Sequence, residues 1–110
     1  MPRPNERRRW VDFGAVNQAA YWRLPDLLNL WLPKGKLVGN EYIALNPTRR
    51  DRNLGSFKIN IQTGRWADFA TGDKGGDVVS LFAYLTDLSQ VAAARRLAEL
   101  LEMPVEFYQG

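Results

Sequence analysis

Neither cysteine nor histidine occurs anywhere in this 110-residue chain. Their absence excludes a disulfide framework and a Cys/His zinc site. It also removes histidine acid–base chemistry and every Ser-His or Cys-His nucleophile. Long apolar runs are missing too: Pro25 and Pro33 interrupt the longest helical stretches, well short of a membrane span. The opening arginines Arg3, Arg7, Arg8 and Arg9 lack the apolar core of a secretory signal. A cytoplasmic, nucleoid-associated location is therefore the expectation. An excess of one charge sign is lacking, with 15 Lys and Arg against 12 Asp and Glu, a net of +3. The position of the cations then matters more than their sum. A chain of this length builds one core and has little stability to spare.

What is present divides the chain into a flexible basic arm (1–12), one domain (13–103) and a tail or linker start (104–110). From Phe13 to Leu32 the pattern is helical, with Asp12 or Asn17 as a cap and Pro25 in the first turn of a second helix. Glu41–Leu45 reads as a strand, and 46–53 as a polar, basic loop. Ser56–Ile61 and Arg65–Phe69 alternate as a hairpin around Gln62-Thr63-Gly64. Asp77 and Ser89 suit the N-caps of two closing helices, whose apolar residues are Val78, Leu81, Phe82 and Leu85, then Val91, Ala94, Leu97, Ala98 and Leu101. The predicted class is α+β, a small antiparallel sheet flanked by N-terminal and C-terminal helices.

The hairpin register decides where Trp66 points. A three-residue loop sets Ile61 opposite Arg65, Ile59 opposite Ala67 and Phe57 opposite Phe69, with Lys58 opposite Asp68 and Asn60 opposite Trp66 on the other face. A two- or four-residue loop would instead bring Trp66 beside Ile61 and into the core. The first register is preferred because it keeps both phenylalanines together.

The stretch from Gly55-Ser56-Phe57 through Gly64-Arg65-Trp66-Ala67-Asp68-Phe69-Ala70-Thr71-Gly72 to Gly75-Gly76-Asp77, with the helical block Ala92–Ala98, resembles the N-terminal zinc-binding domain of bacterial-type DNA primases. The version it looks like occurs in primases and primase–helicases of phages, plasmids and other mobile genetic elements. The resemblance covers roughly residues 41–102 and implies a zinc-ribbon-like sheet. It also implies a non-catalytic role in recognising the template for a separate catalytic domain. Where that family carries its Cys/His ligands, this chain has Asn46, Arg49, Asp68 and Thr71. A metal-free variant is the implication. Burial of Phe57, Phe69, Phe82 and Leu85, with Trp22 and Trp31 from the first helices, is expected to take the metal's place.

The expected function is single-stranded DNA binding by Arg49, Arg50, Arg52, Lys58, Asn60, Arg65 and Trp66, the cations neutralising phosphates and the indole stacking on a base. No catalytic residue, metal or cofactor is assigned, and no small-molecule substrate or membrane contact. The expected partners are the template strand and a primase catalytic domain or replicative helicase. Each signal has a plainer counterpart: a solvated basic loop, a core tryptophan, a surface Lys58–Asp68 pair. The alternative function is a protein-interaction module that docks a primase or helicase without touching DNA. The Gly72–Gly76 loop lacks the spacing and Lys-Ser/Thr ending of a P-loop and reads as a turn. The carboxylates Asp51, Asp68, Asp73 and Asp77 have no spacing that argues for a magnesium site.

Overall fold

The computed structural model describes residues 9–103 and 107–108. The expectations for Arg3, Arg7 and Arg8 lie outside these residues. The chain opens with a short strand β1 (Arg9–Trp10) and the helices α1 (Phe13–Trp22) and α2 (Leu24–Trp31). The strands β2 (Lys36–Val38), β3 (Glu41–Ala44), β4 (Phe57–Asn60), β5 (Trp66–Asp68) and β6 (Lys74–Gly75) follow. Helices α3 (Val78–Thr86) and α4 (Gln90–Leu100) and the strand β7 (Phe107–Tyr108) complete it. Strands β2 to β6 form one antiparallel sheet in chain order, and β1 pairs antiparallel with β7. The fold is α+β, with helices packed on the sheet.

Local chemistry sets the helix ends. Asp12 accepts the N–H of Ala15 to start α1, and Pro25 sits in the first turn of α2, where a missing N–H costs nothing. Asn17, the other candidate cap, instead reaches across to accept the N–H of Val79 and so ties α1 to the start of α3. Asp77 and Ser80 form a reciprocal capping box at that start. Ser89 caps α4 through the N–H of Ala92.

One face of the sheet closes the core. Tyr42 and Ala44, Phe57 and Ile59, and Trp66 point inward with Leu24, Leu28, Leu81 and Leu97 from the helices. The rings of Phe57, Trp66 and Tyr84 pack mutually, with Trp66 and Tyr84 centroids 4.6 Å apart, and Trp31 packs on Phe82 at 5.0 Å. Phe57 and Phe82 are therefore core residues, as expected. Phe69 and Trp22 are not: both are largely exposed. Phe69 lies on the sheet's outer face, and Trp22 is at the end of α1 beside Tyr21.

The hairpin differs from the preferred register. Phe57 lies opposite Asp68, Lys58 opposite Ala67 and Ile59 opposite Trp66, around a four-residue loop of residues 61–64. The Asn60 N–H donates to the Arg65 carbonyl, and the Gly64 N–H to the Asn60 carbonyl. Gly64 has φ of 77°, a left-handed conformation that glycine adopts without steric cost. Asn60 accepts the N–H groups of Gln62 and Thr63 through Oδ1, which pins the longer loop. The shift by one residue turns Trp66 and Asp68 inward and Ala67 and Phe69 outward.

Candidate functional site

Two groups of predicted residues separate in space. The first surrounds Asp68, whose carboxylate is fully buried beneath the loop after β3. Arg49 donates to it through Nε at 2.8 Å and an η nitrogen at 3.3 Å. Asn46 donates through Nδ2 at 2.9 Å and the Ala70 N–H at 2.9 Å. Arg49 also reaches Ser56 Oγ at 3.0 Å and Asp51 at 3.4 Å. Tyr84 of α3 accepts from Asn46 and donates to Asp73. The Arg49 hydrogen bond, with those from Asn46 and Ala70, holds the Asp68 carboxyl far below the usual carboxylate range against its desolvation. The same bond raises the Arg49 pKa.

This cluster occupies the positions that the family resemblance would give to zinc ligands. Zinc does not fit it: no thiolate or imidazole is present, and a guanidinium already neutralises the carboxylate. The Arg49 guanidinium, expected to meet phosphate, is engaged here by Asp68, Asp51 and Ser56. The magnesium reading meets the same obstacle. Asp51 and Asp68 hold Arg49, Asp73 holds Tyr84 and Asp77 caps α3.

The second group lies on the outer face of the sheet. Lys58, Asn60, Arg65, Phe69 and Lys74 border an open groove of about 830 Å³, with Glu41 at one margin. Phe69 is 73 % exposed, and Lys58 Nζ stands 6.0 Å from its ring centroid. Because Asp68 turns inward, Lys58 is released from the expected pairing with it and faces Ala67 instead. Trp66 is 6 % exposed, and its indole N–H donates to Ser80 Oγ at 2.9 Å. With so little surface open and Tyr84 packed on its ring, Trp66 offers little area for a base to stack on. Gly75 sits opposite Trp66, where a Cβ would collide with the indole and the Ser80 hydroxyl. Arg50 and Arg52 are exposed beside a separate hollow, lined also by Asn53, Leu54 and Ala70.

Of the residues singled out in the sequence, Lys58, Asn60 and Arg65 come together on this face, and Phe69 and Lys74, which the sequence reading did not include, join them there. Alternation run from a four-residue loop would have turned Phe69 outward. Lys74 lies in a strand only two residues long, within a glycine-rich stretch that reads as a turn. No helix among the described residues is long and apolar enough to cross a membrane. The chain matches no protein-family model and none of the curated proteins.

Proposed function

We propose that this chain is a non-catalytic, single-stranded-DNA-binding module of a primase or primase–helicase, and that the outer sheet face is its binding surface. The observation that carries the binding reading is the exposed Phe69 ring with Lys58 above it and Arg65 and Lys74 nearby. A singly exposed apolar side chain is ordinary on a protein surface; what supports binding is that this ring stands beside a lysine on a groove bordered by further cations. A base stacked on such a ring gains about 1–3 kcal/mol with little sequence preference, while the lysines and arginine neutralise phosphates. The sequence resemblance of residues 41–102 to primase modules is what supports a role in the priming of replication.

The test is a titration of a fluorescein-labelled dT12 oligonucleotide at two salt concentrations with the wild type and Phe69→Ala. Binding that weakens steeply with salt, and by about tenfold on Phe69→Ala, is the expected result. Salt-independent binding, or a variant equal to wild type, overturns the reading. A docking function has its own supporting observation. Trp22 is 74 % exposed at the end of α1, and Leu30 of α2 is also exposed. Retention of a helicase or primase domain by wild type but not by Trp22→Ala, with no oligonucleotide binding, would replace the DNA reading with that one.

A further inference from the structure

Strand pairing puts residues from all five strands into a single cross-sheet row. Lys36 lies opposite Ile43, Ile43 opposite Lys58, Lys58 opposite Ala67 and Ala67 opposite Lys74. Directly paired residues share a sheet face, and this row is on the side away from Tyr42, Ile59 and Trp66. The lysines therefore recur on every second strand, with the uncharged Ile43 and Ala67 between them. At about 4.8 Å per strand, the row places lysines about 10 Å apart over about 19 Å. Among the described residues none of the three lysines has an ion-pair partner.

The neighbouring row runs Val38, Glu41, Asn60 and then Arg65, and its two charges cancel. On the other flank of the lysine row stands Phe69. A track parallel to the strands would meet one cation on β4, Lys58, and one on β5's side of the hairpin, Arg65. A track across them meets three. Each neutralised phosphate adds to affinity, so the crosswise track wins by number.

We propose, resting on the single-strand reading above, that the nucleic acid crosses the sheet at right angles to the β-strands. Its phosphates follow Lys36, Lys58 and Lys74, and its bases lean toward Phe69 and away from Glu41. The edge strands β2 and β6 are then the two ends of the binding track. Arg65 serves as a side contact and not as part of the line.

The experiment titrates labelled dT12 into the full chain at 50 and 200 mM salt for wild type, Lys36→Glu, Lys74→Glu and Arg96→Glu. Arg96 is exposed on α4 and serves as the control for net charge. Lys36→Glu and Lys74→Glu should each weaken binding about fivefold or more and lower the salt slope by about 0.7, while Arg96→Glu stays within about twofold. Lys36→Gln and Lys74→Gln give the same comparison should a reversed charge unfold the protein. If wild type binds in a Phe69-dependent way but both edge variants behave like Arg96→Glu, the crosswise track is wrong and the binding reading survives. If wild type does not bind dT12, or binds polyglutamate equally well, both fall.

Discussion

At the residue scale, Trp66 and Phe69 exchange the roles their surroundings first suggest. Three residues apart on the same hairpin, one is sealed against Ser80 and Tyr84 and the other stands open beside Lys58. The two alanine variants should therefore separate stability from binding. Trp66→Ala should cost about 3–5 kcal/mol in urea unfolding through the cavity it leaves. Phe69→Ala should leave the midpoint within about 0.5 kcal/mol and act on oligonucleotide affinity alone. The exchange was hidden in the sequence for a definable reason. Keeping Phe57 and Phe69 together is the better choice if only apolar burial counts, because the other register sinks a carboxylate. Asp68 can be sunk only because Arg49 and Asn46, 19 and 22 residues earlier, converge on it. Alternation within one strand carries no information about partners that distant.

At the scale of elements, what local chemistry fixes was legible. Asp12, Asp77 and Ser89 cap the helices for which their positions argue, and Pro25 lies in the first turn of α2. The edge strands β2 and β6 were not legible. Lys36-Leu37-Val38 follows Pro33-Lys34-Gly35, and Lys74-Gly75 is embedded in glycines, so both depend on a neighbour's free edge rather than on their own propensity. The end of α3 offers an element-level prediction. Asp87 closes that helix in a left-handed conformation (φ 56°), and its negative charge faces the negative end of the helix dipole. Asp87→Gly should stabilise the protein by about 0.3–1 kcal/mol, read as a higher melting temperature without change in oligonucleotide affinity.

For the whole molecule, the buried cluster predicts how stability follows pH. Asp68 titrates below its unfolded value of 3.8, so the stabilisation it gives is complete above that value and disappears as the solution becomes more acid. Tyr42, whose hydroxyl donates to the Leu32 carbonyl at 2.6 Å, is shifted upward by burial. Its contribution is present below about pH 10 and lost above it. Urea midpoints across pH should thus form a plateau that falls at both ends. Asp68→Asn should lower the plateau by about 3 kcal/mol, because an amide cannot satisfy the guanidinium, and should flatten the acid limb. An unchanged acid limb in that variant would assign the acid sensitivity to other carboxylates. The way Arg49, Asn46 and Asp68 lock the β3–β4 loop to β5 also has an environmental consequence. A loop fastened by an internal ion pair draws on nothing from the surrounding solution. Melting curves with and without EDTA should superimpose, leaving the chain equally folded under metal starvation.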